Sequence, residues 1–379
     1  DEIMLTRSTM AKSPPDILFT TTEMLNQRLG DARLQKLFGI NTTEPIPIVL
    51  LDEVHTYDGN HGAQVAFLLR RWMKVARTAP HFVGLSATLV DGERFFARLT
   101  STDPMEVDLV EPNEQEMLEE GSEYLMVLRG DPVSQAALLS TTIQAAMLTR
   151  RVLDGLNKPS KGIWGSKTYL FTDELDVANR LHADLADAEG YWLDSNGRRY
   201  RKPGPGPLAQ LRNPATGGIY REGELERLGQ NWQRLRKNGF SLDSDDRAEV
   251  SKTTSQSPGV EAGSDVVVAS ASLEVGFNDP CVGAVIQHKA PRSTASYLQR
   301  KGRAGRTRGM RPWMVVVLSD FGQDRVQFQN YEKLIEPEIN LQSLPLGNSH
   351  ILSMNAAMAA LNWFEIKLVG FNFWSSFNP

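Results

Sequence analysis

Two short segments of this chain carry residue types and spacings suited to phosphate chemistry. In the first, an apolar run of strand length, Ile46 to Leu51, delivers Asp52 and Glu53 and then His55 into a polar Thr56-Tyr57-Asp58-Gly59 turn. Two carboxylates at the end of a buried parallel strand can divide the work of hydrolysis. Asp52 would hold Mg2+, through water, and Glu53 would orient and deprotonate an attacking water. The same residues also fit a solvent-facing acidic turn, and nothing inside the segment separates the two readings. In the second, Tyr297 to Arg306 sets Arg303 and Arg306 three apart, with Gly302 and Gly305 between and beside them. Guanidinium groups so placed can approach a phosphate with little steric hindrance. The competing reading is a basic, solvated helix end, against which the paired glycines argue.

The pattern around these segments predicts alternating strands and helices. Asp16 to Thr22 reads as a short strand entering a hydroxyl-rich turn, with a helix from Glu23. Gly62 to Val75 has apolar residues at helical spacing and an outer basic face at Arg70, Arg71 and Lys74. His81 to Leu85 is a second buried strand, ending at Ser86-Ala87-Thr88. Met105 to Glu123 is acidic and reads as a solvated face, Tyr124 to Leu128 is a strand, and Ser134 to Leu156 is a long amphipathic helix. After a linker at 157–166 a second series follows: strands at 168–172, 265–269, 284–288 and 313–318, with helices at 174–186 and 293–301. This order predicts an α/β protein with parallel sheets. A polar, Gly-, Pro- and Arg-rich insertion occupies about 190–263, and Tyr200 and Trp232 within its basic part (198–237) could stack bases or belong to a flexible loop.

Bulk properties narrow the classes. At 379 residues the chain has room for more than one core, and 41% apolar with 23% charged residues excludes disordered and fibrous proteins. A net charge of −5 means that any nucleic-acid contact rests on local basic patches. The one cysteine, Cys281, excludes an internal disulfide and fits a reducing cytosol. His61, His81, His182 and His350 lack metal-ligand spacing. The most apolar stretch, Ile351 to Trp374, contains Glu365 and Lys367 and is expected to be a buried helix rather than a membrane span.

Six segments in order resemble a superfamily 2 helicase of the DExH type, over roughly Pro15 to Asp320. They are Thr20 to Leu25, Asp52 to His55, Ser86 to Thr88, Tyr169 to Thr172, Ala271 to Phe277 and Gln299 to Arg306. The resemblance implies two RecA-like parallel-sheet domains, the first incomplete at its N-terminus, plus a helical C-terminal extension. The expected bounds are 1–156, 157–345 with the insertion, and 346–379. It further implies ATP and Mg2+, with Asp52 and Glu53 at the metal and Gln299, Arg303 and Arg306 facing the γ-phosphate beside Gly276, Gly302 and Gly305. Thr20, Thr21, Thr22, Phe171, Thr172, Ser272 and Glu274 would meet nucleic acid, and His55, Ser86 and Thr88 would couple hydrolysis to grip.

His55-Thr56-Tyr57 with Gly59 and Gly62, followed by Leu69-Arg70-Arg71, is similar to mitomycin-repair-type helicases. The 271–277 segment, Gln287 to Arg292 and Ser343 to Leu346 resemble the large helicases of bacterial anti-phage islands of the DISARM type. That likeness implies a bacterial cytoplasmic protein acting on DNA, single-stranded or at a junction, with a protein partner in a multisubunit defence complex and no membrane. A DNA-binding scaffold with little unwinding, or an RNA helicase, fits the same motifs.

Three departures accompany the resemblance. Asn278 stands where the family has an aspartate, with Asp279 next, and Thr22 replaces a frequent proline. No Gly-x-x-x-x-Gly-Lys-(Ser/Thr) occurs; Gly165 to Thr168 runs into a strand instead of a helix N-terminus, so a phosphate loop is expected before Asp1.

Overall fold

The computed structural model describes residues 6–31, 33–86, 89–116, 122–130, 137–155, 160–193, 199–201, 247–254, 260–261, 263–270, 278–337 and 341–367. The chain divides into two compact units, one of residues 1–114 with 339–379 and one of residues 115–338.

The first unit contains helices α1 (Arg7–Lys12) and α2 (Thr22–Arg28), strand β1 (Ile48–Leu51), helix α3 (Gly59–Ala76), strand β2 (His81–Gly84) and helix α4 (Gly92–Thr100). β1 and β2 pair in parallel, Ile48 opposite His81 and Leu51 opposite Gly84. One face of this pair is buried: Leu51 and Phe82 join Leu25, Leu29, Val65, Leu69, Trp72, Phe95 and Leu99 in a core covered by α2, α3 and α4. On the other face Ile48 is 56% exposed and Leu50 66%. Among the described residues, helices cover one side of this strand pair and leave the other side open. Residues 16–19 are not a strand; among the described residues no neighbouring strand pairs with their backbone, and Ile17 and Phe19 are exposed.

Two further expectations change here. Arg71, placed by sequence on an outer basic face, is turned inward and donates to Asn26 Oδ1 (2.7 Å) and Asn362 Oδ1 (2.8 Å). Burial pulls its basicity, and that of Arg70, downward. The helix Ser349–Lys367 is not wrapped in apolar core. Its buried positions include Ile351, Asn355 and Asn362, while Leu352, Met354, Trp363 and Phe364 are exposed, so a largely polar stripe faces inward.

The second unit is built on a parallel six-stranded sheet. In chain order its elements are β3 (Tyr124–Arg129), α5 (Ala137–Val152), β4 (Lys167–Phe171), α6 (Leu175–Ala188), a β5–β6 hairpin (Tyr191–Leu193, Arg199–Arg201), β7 (Val250–Thr253), β8 (Val266–Ala269), β9 (Val282–His288), α7 (Thr294–Lys301), β10 (Trp313–Leu318) and α8 (Gly322–Gln329). The strand order is β3-β10-β9-β4-β8-β7. Successive side chains point to opposite faces, and both faces are covered, which is why these strands read as near-continuous apolar runs. Leu170, Val266, Val268, Ile286 and Val317 pack on α5 and α6 through Met147, Leu181 and Leu185. Tyr169, Phe171, Val267, Val285 and Val316 pack on the side of Tyr297 and Leu334.

The domain boundary moves with this sheet. β3 and α5, expected in the first domain, belong to the second unit, since β3 pairs with β10 along its whole length. Residues 341–345, expected in the second, belong to the first. Part of the insertion is also structural: Val250–Thr253 is the edge strand paired with β8. Its return is anchored where Arg151 meets Glu189 through both carboxylate oxygens (2.8 and 2.9 Å) and Ala248 N donates to Glu189 Oε2.

His288, at the end of β9, is buried with Nδ1 2.8 Å from Thr142 Oγ1, whose own proton goes to the Leu138 carbonyl. Burial, aided by Lys289, lowers its pKa from 6.5 to about 4. The unfolded chain then binds the proton first as pH falls, so this stabilisation is present above 6.5 and lost between 6.5 and about 4. The loss comes to roughly 3 kcal/mol at about 1.4 kcal/mol per pKa unit. Denaturant unfolding of the second unit across this window should therefore fall more steeply for the wild type than for His288→Gln. Parallel curves would refute the assignment.

Candidate active-site segments

In the first unit the loop after β1 is held by the ladder continuing past the strands. Leu85 N donates to the Leu51 carbonyl and Val54 N to the Leu85 carbonyl, both at 2.9 Å. Between them Glu53 adopts left-handed backbone (φ 48°, ψ 51°), an uncommon state for a residue with a Cβ and one found at functional turns. That kink turns Asp52 outward, where it is exposed and accepts the Glu53 amide on one oxygen (3.0 Å), and sends His55 inward, where it is buried. His55 Nδ1 lies 3.1 Å from Ser86 Oγ and 3.4 Å from Glu53 Oε2. Three residues named from sequence, Glu53, His55 and Ser86, thus form one cluster at the adjoining ends of β1 and β2. Asp52 offers a single hard carboxylate, a donor that suits Mg2+ when phosphate and water fill the other positions.

A brace that sequence reasoning missed supports this loop. Gln342 Nε2 donates to the His55 carbonyl (3.2 Å), Ser343 N to Asp58 Oδ1 (2.7 Å), and Gly59 N to the Ser343 carbonyl (2.8 Å). Gly62 is required here: a Cβ would lie 2.1 Å from the Tyr57 carbonyl oxygen and 2.6 Å from Leu344. The nearby Tyr57 phenol is pushed up by burial and by the Asp52 charge. Thr21 caps α2, its Oγ1 accepting Met24 N (3.1 Å); Thr20 is exposed and Thr22 is the first helical residue. Thr88 lies outside the described residues.

In the second unit the arginine segment leaves α7 and folds back along β9. Gly305 N donates to the Val282 carbonyl (3.1 Å) and Thr307 Oγ1 to the Pro280 carbonyl (2.8 Å). Gly305 has φ +74° and a Cβ would lie 2.6 Å from Pro312, so the turn needs glycine. Arg303 is 7% exposed, whereas Arg306 is exposed, donating from Nη1 to Asn278 Oδ1 (3.0 Å) and from Nε to the Gly302 carbonyl (3.2 Å). Gln299 is half-buried in the helix, and Gly302 caps it. Asp279 faces elsewhere: it accepts Lys167 Nζ (2.5 Å), Cys281 N (2.9 Å) and the Tyr169 hydroxyl (3.5 Å). Burial and the Asp279 charge push the Tyr169 phenol up, with Arg303 and Arg306 pulling it down, so these groups share one electrostatic neighbourhood.

The strongest anchor of the segment is a residue to which the sequence reading gave no role. Arg300 is 1% exposed; it donates to Gln287 Oε1 (2.7 Å) and Asp173 Oδ1, and its guanidinium lies 5.5 Å from the Phe171 ring centre. The signal available was an arginine one residue after Gln299 and an aspartate directly after Thr172. Phe171 and Thr172, expected at nucleic acid, are 0% and 2% exposed, so that expectation is corrected: Phe171 is core beneath Arg300. Ser272, Glu274 and Gly276 lie outside the described residues. Gly165 to Thr168 does run into a strand, β4, and Lys167 there is spent on Asp279.

Comparison with known proteins agrees with this architecture. Residues 226–308 match the helicase conserved C-terminal domain, a stretch that includes both 271–277 and Arg303 to Arg306. The chain is 28% identical over 303 residues to the Lhr helicase/probable uracil glycosylase of Mycolicibacterium smegmatis and 28% identical over 311 residues to the Lhr helicase/uracil glycosylase of Escherichia coli. In each case 79% of this chain aligns with 18% of the relative, so the chain spans under a fifth of their length. The structure of Mycobacterium smegmatis Lhr bound to ssDNA and AMP-PNP superimposes at a TM-score of 0.58 and 18% identity, covering 94% of this chain and 38% of that one. That of the DUF1998 helicase MrfA bound to DNA and AMPPNP gives 0.56 at 17%, covering 94% and 42%. The chain shares the fold of these proteins and is a relative of helicases.

Arg300→Lys keeps the charge but loses the planar fork that reaches Gln287 and Asp173 together. It should destabilise the second unit by about 2 kcal/mol in denaturant unfolding, the scale of a buried partner left unsatisfied. A loss below about 0.5 kcal/mol, typical of surface changes, would show that the network carries no such weight.

Proposed function

We propose that this helicase relative is part of an ATP-dependent DNA helicase or translocase. The observation that carries the reading is that the helicase C-terminal match spans the glycine-arginine segment ending at Arg306, in a unit whose sheet holds that segment in place. The carboxylate end of β1 supplies the complementary half of phosphoryl-transfer chemistry. Because such transfer is mostly positioning and charge stabilisation, fixed carboxylates and guanidinium groups are the parts the protein must provide.

In this reading Glu53 orients the attacking water and takes its proton, with its own carboxylate oriented by the left-handed turn and by His55. Asp52 is the residue that would hold Mg2+, which supplies charge neutralisation at the phosphates. Arg303 and Arg306 stabilise negative charge on the terminal phosphate, Gln299 assists them, and Gly276, Gly302 and Gly305 allow close approach. His55 and Ser86, with Thr88, link the state of the phosphate site to nucleic-acid grip. Thr20, Thr21, Thr22, Ser272 and Glu274 contact the strand through phosphate and sugar. DNA is preferred over RNA because two of the helicases of like fold, Lhr and MrfA, were solved with DNA. A role in bacterial anti-phage defence, with a protein partner, rests on the likeness of 271–277, Gln287 to Arg292 and Ser343 to Leu346 to the helicases of such islands.

Glu53→Gln in the full-length protein should lower DNA-stimulated ATP turnover by about 100-fold or more, the range of general-base catalysis. AMP-PNP binding should be retained, since only the proton acceptor is lost. Unchanged turnover in a steady-state assay would overturn the assignment.

A further inference from the structure

The turn that carries Glu53 is fixed at its entry and at its exit by different parts of the chain. At the entry, Val54 N donates to the Leu85 carbonyl at 2.9 Å, continuing the ladder of β1 and β2. Inside the turn, the Glu53 carbonyl accepts both Thr56 N (2.8 Å) and Thr56 Oγ1 (2.7 Å). The exit is held by residues 342–344. Gln342 Nε2 donates to the His55 carbonyl at 3.2 Å. Ser343 uses both of its backbone groups, its N–H on Asp58 Oδ1 (2.7 Å) and its carbonyl for Gly59 N (2.8 Å). Leu344 follows, 1% exposed, and its carbonyl accepts Arg98 Nη2 at 2.6 Å.

These contacts displace more ordinary ones. Asp58 occupies the N-cap position of α3, where an aspartate usually accepts an amide of its own first turn. It makes no such bond; its carboxylate goes to Ser343, which in return satisfies an orphan amide of the helix, Gly59 N. The Gln342 Oε1 is sealed from solvent and accepts no hydrogen bond among the described residues, so this side chain is oriented for its donor alone. A buried acceptor without a partner costs stability, and an apolar side chain would fill the same space without that loss. The left-handed backbone of Glu53 (φ 48°) likewise persists only where its surroundings enforce it. A general base displaced by a fraction of an ångström loses much of its effect. Resting on the assignment of Glu53 as the base, we propose that Gln342 and Ser343 are positioning residues that clasp the turn from Glu53 to Asp58 and set the direction of the Glu53 carboxylate. Residues 342–344 thereby join the hydrolytic machinery, although they lie beyond the six segments that carry the helicase resemblance.

The experiment is steady-state ATP turnover by the full-length protein with single-stranded DNA, alongside thermal unfolding of each variant. The variants are Gln342→Met, Asp58→Ala, Asp58→Asn, Glu53→Gln and the double variant Glu53→Gln with Gln342→Met. Gln342→Met keeps the side chain's length and removes its donor. Its kcat should fall about tenfold, with KM for ATP and the unfolding midpoint little changed. Asp58→Ala, which removes the acceptor of Ser343 N, should lose a similar factor. Asp58→Asn, which keeps that oxygen, should turn over within about twofold of wild type. In the Glu53→Gln background Gln342→Met should cost nothing further, because the clasp acts through the group already lost. Additive losses in the double variant would overturn the proposal, as would wild-type turnover by Gln342→Met. Equal losses in Asp58→Asn and Asp58→Ala, or a fall in Gln342→Met turnover that only follows a lowered unfolding midpoint, would also overturn it. Wild-type turnover by Glu53→Gln would instead overturn the base assignment, and this proposal with it.

Discussion

The Arg300 guanidinium is the interaction on which the second unit's chemistry depends. Sealed beneath the surface, it ties α7 to the ends of β4 and β9 through Asp173 and Gln287 and rests on the Phe171 ring. A buried cation is tolerated only when its donors are met, so these partners fix the helix end from which Gly302 to Arg306 departs. The exposed Arg306 and the nearly buried Arg303 owe their positions to a residue that itself meets no solvent. The parallel sheet provides the frame: two covered faces of alternating apolar residues leave the strand ends as the places where polar groups can gather.

In the first unit the two parallel strands among the described residues present a left-handed kink at Glu53 that separates an outward carboxylate from an inward histidine. Its brace comes from residues near the other end of the described chain, Gln342 and Ser343, so the geometry of a local motif depends on a contact almost three hundred positions away. Gly62 serves that packing, since no side chain fits against the Tyr57 carbonyl.

Much of this was legible before any coordinates. The strands of the second unit announced themselves as apolar runs because burial on both faces leaves no room for alternation, and Trp313–Leu318 has the bounds the pattern predicts. Elements with mixed character were missed: Val250-Ser251-Lys252-Thr253 is an edge strand whose polar residues hid it within an apparent loop. The helix at Ser349–Lys367 looked like core because composition counts apolar residues and does not say which way they face.

Sequence alone determined the chemistry on offer, since carboxylates, a histidine and glycine-spaced arginines can be read as residue types in order. It also determined that the chain is α/β, because local hydrophobic periodicity dictates strand and helix. Only the tertiary structure decided which side chains that chemistry can use. Phe171 and Thr172 are withdrawn into the core and Arg71 is consumed by two asparagines. Lys167 neutralises Asp279, and Asn278 receives Arg306. Those choices depend on burial and on partners distant in the chain, properties that no local pattern of residues encodes.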